Sequence, residues 1–314
     1  MHQVLRRLAA PFTNTTGLAR WMLVAGLFIT AVFVVCAIFA PWIAPYGFDQ
    51  TSAGGTEFAK REAPSGDHPF GTDRLLFDVL SRTIWGARTA ILVVILSILV
   101  CVVIGVPLGL VSGYYGGWLD RILLLVMDAL FAFPSFLLAI VFAFLLTDKF
   151  GDGGFGGVLA VSLSLSVIYI PQYYRVVRNT TVSAKEATYV EAARAIGASD
   201  FVIMRRYLFQ NVVQSVPVLG TLNAADAILT LAGLGFLGLG LQSTEAAEWG
   251  HDLYRALADA GSGVWWTGLY PGLAIVLLVT GLTLVGEGLN ETVNPTLRRR
   301  RLLPVVMTPR EDRR

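Results

Sequence analysis

Two carboxylates stand where carboxylates are costly. Asp128 and Asp226 both lie inside long apolar stretches of a 314-residue chain that is 55% hydrophobic and 15% charged. A charged side chain at mid-bilayer costs at least about 2.5 kcal/mol. Each is therefore expected to face the bundle interior, a partner subunit or water. There it either lines a path and meets an amino group of a solute, or it fixes helix packing as a buried, hydrogen-bonded acid. A second group, Glu191-Ala192-Ala193-Arg194-Ala195-Ile196-Gly197, forms a polar island between two apolar segments. Its residue types suit docking. The small Ala192 and Ala193 let another surface approach closely, Glu191 offers a carboxylate to a basic or amide donor, and Gly197 permits a turn.

Enzymatic chemistry has little to work with. No Gly-Lys pair occurs in the chain, so a Gly-x-x-x-x-Gly-Lys phosphate loop is missing and ATP hydrolysis by that route is excluded. His2, His68 and His251 fall in expected loops or the tail and never pair at metal-ligand spacing. A serine protease of the membrane would need a His within a span, and none is expected there. Cys36 and Cys101 sit in apolar runs, which suits packing and implies no disulfide framework or metal cluster. No catalytic residue, metal or cofactor is expected.

The elements that position these groups are membrane helices. Charged residues are far below the roughly 25% of a soluble domain. Apolar runs predict an all-α protein with six transmembrane helices, at about 21–41, 89–111, 122–146, 158–177, 212–241 and 266–287. Residues 1–20 read as an N-terminal tail, 21–290 as one transmembrane domain and 291–314 as a basic tail carrying Arg298 to Arg301. Pro41 and Pro45 are expected to end the first span, and Pro134 to kink the third. Ser162, Ser164 and Ser166 alternate with apolar residues as in a strand, but a lone strand in lipid leaves its backbone unpaired, so a helix is expected. Residues 42–87 read as a loop with short helices.

Between the fourth and fifth spans lies a polar loop, 183–210. Ser183 with Glu186 predicts a capping box and a helix starting near Ala184. Gly197 should end that helix in a left-handed turn. Ser199 should cap a second helix with Asp200 in its first turn, and Phe201, Met204 and Leu208 should share one face. With both termini and this loop on one side, that side carries 17 of the 24 Lys and Arg. The positive-inside rule then makes it cytoplasmic, and it also explains the basic residues without nucleic acid.

The island Glu191-Ala192-Ala193, three residues, then Gly197, is similar to the loop of membrane subunits of binding-protein-dependent ABC importers. Tyr207, Phe209 and Gln210 stand where that family has Ile, Leu and Pro. Further blocks resemble its dipeptide and oligopeptide permease branch. They are Gly71-Thr72-Asp73 with Asp78 to Arg82 and Gly86-Ala87-Arg88, Gly113 to Arg121, Phe133-Pro134-Ser135, and Phe236 to Gly240 with Trp249-Gly250. Leu76 and Phe77 replace a usual Gly-Arg, and Leu231 a usual Glu. The resemblance implies a cytoplasmic helix-turn-helix coupling loop between helices 4 and 5, with Glu191, Ala192, Ala193, Gly197 and Asp200 engaging an ATPase. It implies a second homologous permease subunit, one or two ATP-binding cassette subunits that bind the ATP, an extracytoplasmic substrate-binding protein, a peptide substrate and a lipid bilayer in the inner membrane. Nickel is the competing substrate within the family. An ion-coupled secondary transporter is the alternative of another class, for which no internal repeat is visible. A non-transporting anchor would leave the structured loop unexplained.

Overall fold

A computed structural model describes residues 18–151, 154–241 and 246–293. Arg6, Arg7 and the basic tail from Arg298 to Arg301 lie outside the described residues. Among these residues the chain is mostly helical. Its helices are α1 (Leu18–Ile43), α2 (Val79–Tyr115), α3 (Gly117–Ala132), α4 (Ser135–Phe150), α5 (Gly154–Ala184), α6 (Thr188–Ala195), α7 (Asp200–Phe236), α8 (Trp249–Ala260) and α9 (Trp266–Val293). Among the described residues five are long and apolar enough to cross a membrane, and up to six spans result if the bent pair α3–α4 counts as one.

Several helix ends differ from the expected ones, because hydropathy marks where a helix is apolar and not where it stops. The second span is expected from 89, yet α2 starts at Val79. Asp78 caps it, accepting from the Ser81 amide at 2.7 Å and the Ser81 hydroxyl at 2.6 Å. Helical structure thus runs through Arg82 and Arg88. Pro41 lies inside α1, which continues to Ile43. At Pro134 the expected kink is a break. The proline has no amide to donate, and α3 and α4 diverge by 97°. Each has 16 residues, about 24 Å long by helix rise, too short to cross alone. The 42–78 segment holds a two-stranded hairpin where short helices were expected, Ser52–Ala53 against Thr56–Glu57. It turns on Gly54 and Gly55, both at positive φ.

The capping box at Ser183 and Glu186 does not form. α5 continues through this point, with the Lys185 amide still bonded to the Thr181 carbonyl at 2.9 Å. A turn follows, and α6 begins at Thr188. α7 is irregular: an α-turn at Asp200–Val202, a π-helix at Ile203–Leu208, a 3-10 turn at Val213–Ser215, then regular α-helix from Val216. The wider π turn changes the register. Met204 and Leu208 are buried with Ile203, whereas Phe201 is left 65% exposed.

The bundle is organised on the contact between α2 and α5. Ser97, Cys101, Gly105, Gly109 and Gly113 repeat every four residues along one face of α2. A Cβ at Gly109 would stand 2.6 Å from the Tyr174 carbonyl oxygen, so the two backbones touch. Higher up, the Ser97 hydroxyl donates to the Ser162 carbonyl at 3.1 Å and the Ser166 hydroxyl to the Ser97 carbonyl at 3.2 Å. Ser162 and Ser166 are one helical turn apart, so the expected helix replaces the strand-like alternation. Tyr169, Tyr173, Leu165 and Val177 fill the rest of this seam.

Candidate functional site

Three sets of residues could carry function: the α5–α7 loop, the aspartates in the spans, and a charged cluster at the other end of the bundle.

The loop is seated on the ends of α2 and α5. Val190 and Ala193 of α6 pack with Tyr114, Ile203, Met204 and Leu208 in a small core of their own. The Tyr114 hydroxyl donates to Asp200 at 2.6 Å, and Arg194 stacks over the Tyr114 ring. Asp200 is thus an anchor to α2. Ser199 occupies the cap position of α7, but its side chain makes no capping bond. Gly197 has φ +82°. The Ala198 amide bonds the Ala193 carbonyl at 3.0 Å and the Gly197 amide the Arg194 carbonyl at 3.0 Å, the paired bonds that close a helix on a left-handed residue.

This seating sorts the island into an inner and an outer face. Ala193 is buried and supports α6 from below, so it does not offer the close approach expected of it. Glu191, Ala192 and Gly197 are exposed. Ile196 is 80% exposed and shares the outer face with Ala192 and Tyr189. An apolar side chain held that far into water at the tip of an ordered loop suits a docking surface. Its spacing to Tyr189 and Ala192 was the signal in the sequence.

The two span aspartates are not brought together. Asp128 on α3 pairs with Arg175 of α5 at 2.9 Å, and Arg175 also lies over the Phe131 ring at 4.3 Å. Asp226 on α7 accepts from the Tyr169 hydroxyl at 2.7 Å. Both aspartates lie on exposed faces of the single chain. The interior that a span carboxylate needs is therefore not supplied by this chain's own bundle.

At the opposite end, sequence reasoning missed a buried ion network. Asp252 Oδ1 accepts from Arg82 Nε at 2.8 Å and from Arg255 Nη2 at 2.7 Å. Arg255 also pairs with Asp73 at 3.0 Å, and Arg61 with Asp259 at 2.8 Å. His68 Nδ1 lies 2.9 Å from Asp78. These contacts lock the 44–78 segment and the start of α2 to α8. α8 is inverted: Asp252, Arg255 and Asp259 point inward, while Tyr254 and Leu257 are exposed. The only trace in the sequence is charge at three positions on one helical face.

Glu248 caps α8, accepting from the Gly250 and His251 amides at 2.7 Å each. It lies so close to Gly235 that any side chain there would clash. Burial pushes the Glu248 carboxyl up to about 8, against the two amide hydrogen bonds. Burial also raises Asp73, which Arg255 opposes, and lowers His251 and Arg255. An acid whose folded pKa is raised gives stability that is full below its ordinary 4.5 and is lost as pH rises through about 8. The melting temperature of the purified protein is accordingly expected to fall between those pH values. Glu248→Gln should flatten that slope, and an unchanged slope in the variant would remove Glu248 as its source.

The chain matches the family described as binding-protein-dependent transport system inner membrane component over residues 105–299. It also matches the N-terminal TM domain of oligopeptide transport permease C over residues 18–64. It is 36% identical over 278 residues to a glutathione transport system permease protein of Pectobacterium atrosepticum, covering 87% of this chain and 86% of that one. A glutathione transport system permease protein of Escherichia coli O157:H7 gives the same figures. A dipeptide transport system permease protein of Alkalihalophilus pseudofirmus is 32% identical over 278 residues, covering 88% and 86%.

Proposed function

This chain belongs to the family of binding-protein-dependent transport system inner membrane components, as a peptide-type ABC permease subunit, and on that premise we propose that it forms half of an import path for di- or oligopeptides and couples an ATPase to it. It is a multi-pass inner-membrane transport subunit and not an enzyme. The observation that supports coupling is α6. It is rooted through Val190 and Ala193 on the ends of two spans, and it presents Ala192, Ile196 and the carboxylate of Glu191 outward.

In this reading 21–290 is the transmembrane domain, flanked by cytoplasmic tails, and the 183–210 loop is cytoplasmic. The ATP-binding cassette subunits bind ATP and take the outer face of α6 into a cleft. Their closure pushes α6, and the Tyr114–Asp200 bond and the small core carry the push into α2, α5 and α7. A second permease subunit completes the path, and a substrate-binding protein delivers solute to the opposite face. The orientation has a direct check. A cysteine replacing exposed Ser183 should react with an impermeant thiol reagent only after the cytoplasmic face is opened, and one replacing exposed Ser65 should react in intact cells. The reverse pattern would invert the subunit and end the coupling reading.

Asp226, open on one face of α7 and held by Tyr169, is the stronger candidate for the path. Asp128 already has a cationic partner in Arg175. The substrate is tested by growth of a deletion strain on a required amino acid supplied only as peptide. Growth should fail without this gene and return with it, whereas normal peptide use with lost nickel uptake would overturn the assignment. In the same assay Asp226→Asn should reduce use of a cationic peptide more than of a neutral one. Equal use of both at wild-type rates removes the carboxylate from the path.

A further inference from the structure

A groove of about 550 Å³ opens between the loop-side end of α2 and the start of α7. Pro107 and Leu110 of α2 line it on one side, and Phe201, Phe209 and the exposed Arg205 and Gln210 of α7 on the other. The volume falls in the range of roughly 300–1,000 Å³ typical of small-ligand sites. The π-helix at Ile203–Leu208 shapes it, sending Met204 inward while Arg205 stays exposed.

Two features identify what fits. The first is charge. No acidic residue lines the groove. Among the described residues, neither Arg205 nor Arg206 has a carboxylate at ion-pair distance. An unpaired guanidinium beside an apolar channel asks for an anion with a hydrocarbon body. The second is level. Pro107 and Leu110 are eight and five residues before the end of α2 at Tyr115, so about 8–12 Å inside it by helix rise. Tyr115 and Trp118, both exposed, mark the same edge with the aromatic side chains typical of a membrane interface. The groove therefore crosses from hydrocarbon to headgroup depth, where phospholipid is the surrounding solvent.

We propose that this groove is a binding site for one anionic phospholipid of the leaflet on the loop side. An acyl tail lies along Pro107, Leu110 and Phe209, and the headgroup phosphate meets Arg205 with Gln210 as a second donor. The lipid then bridges α2 and α7 at the joint where the loop enters the bundle. The site stands whether or not the loop couples to an ATPase.

The test is native mass spectrometry of the complete transporter in detergent, titrated with dioleoylphosphatidylglycerol or dioleoylphosphatidylcholine. The intact complex mass reports assembly in the same spectrum. The wild type should bind phosphatidylglycerol more tightly. Arg205→Gln should weaken that binding about fivefold, the share of one basic residue at an anionic surface, and weaken binding of phosphatidylcholine, whose choline offsets the same phosphate, by less. Leu110→Trp, which fills the apolar wall, should weaken both. Equal affinity for the two lipids in the wild type, or unchanged affinity in Arg205→Gln, would overturn the site. So would displacement of the lipid by excess inorganic phosphate, or oxidative cross-linking of Leu110→Cys to a cysteine of the partner permease, which would show another protein in the groove.

Discussion

Gly197→Arg is expected to leave the subunit in the membrane at normal abundance and to cut transport by at least tenfold. The local cost is small. A side chain at φ +82° costs about 1–2 kcal/mol, and a Cβ there meets nothing within 4 Å. The anchor of α6 lies elsewhere, in Val190, Ala193 and the Tyr114–Asp200 bond. The arginine instead projects from the tip that carries Ile196, into whatever docks there. Losing about 1.4 kcal/mol of docking already costs tenfold in attachment. Glu191→Lys tests the same surface from a second point. Glu191 is exposed, and among the described residues no hydrogen bond or ion pair holds its carboxylate, so the reversal costs the fold little. Each variant should lose co-purification of the ATPase and uncouple its hydrolysis from transport. The readout is transport and co-purification, each divided by membrane abundance. Wild-type values for both variants would mean that α6 is only a surface helix.

Asp252→Ala should behave in the opposite way, with abundance lost before any transport defect can be measured. Asp252 Oδ1 is shared by two guanidiniums, Arg82 and Arg255, and all three side chains are buried. Removing one member of a buried ion network strands the others, at a cost of about 3–5 kcal/mol. That is a large fraction of the roughly 5–15 kcal/mol that holds a folded domain. Asp252→Asn keeps an acceptor and removes the charge, so it should fall between wild type and alanine. Thermal unfolding of the purified subunit measures this order. An alanine variant melting at the wild-type temperature would show that Arg255 is adequately held by Asp73 and that the network is redundant.

One end of the α5–α7 loop was legible because its signal is local. A glycine after a helix-forming stretch marks a left-handed stop, and Gly197 is one, with the expected bond pair behind it. Ser183 and Glu186 misled for an equally local reason. Three residues of spacing describe a cap only if a helix begins there, and α5 was still running. The face of α6 was ambiguous in the same way. Two adjacent alanines point about 100° apart on a helix, so only packing could decide that Ala193 faces the core and Ala192 the solvent.

The sequence by itself determined the class: a mainly helical membrane chain, its apolar spans, the polar loop between two of them, and the lack of a phosphate loop. These follow from composition and from periods of three to four residues, which are properties of neighbours along the chain. Tertiary structure decided where α2 begins and α1 and α5 end, how far α3 and α4 diverge at Pro134, and which charges meet. Arg82 and Asp252 are 170 positions apart. Each by itself reads as a loop or interface charge, and only the packing of α8 against the start of α2 removes both from water. A buried pair is stable only when both members arrive together, and no pattern confined to one stretch of chain records that meeting.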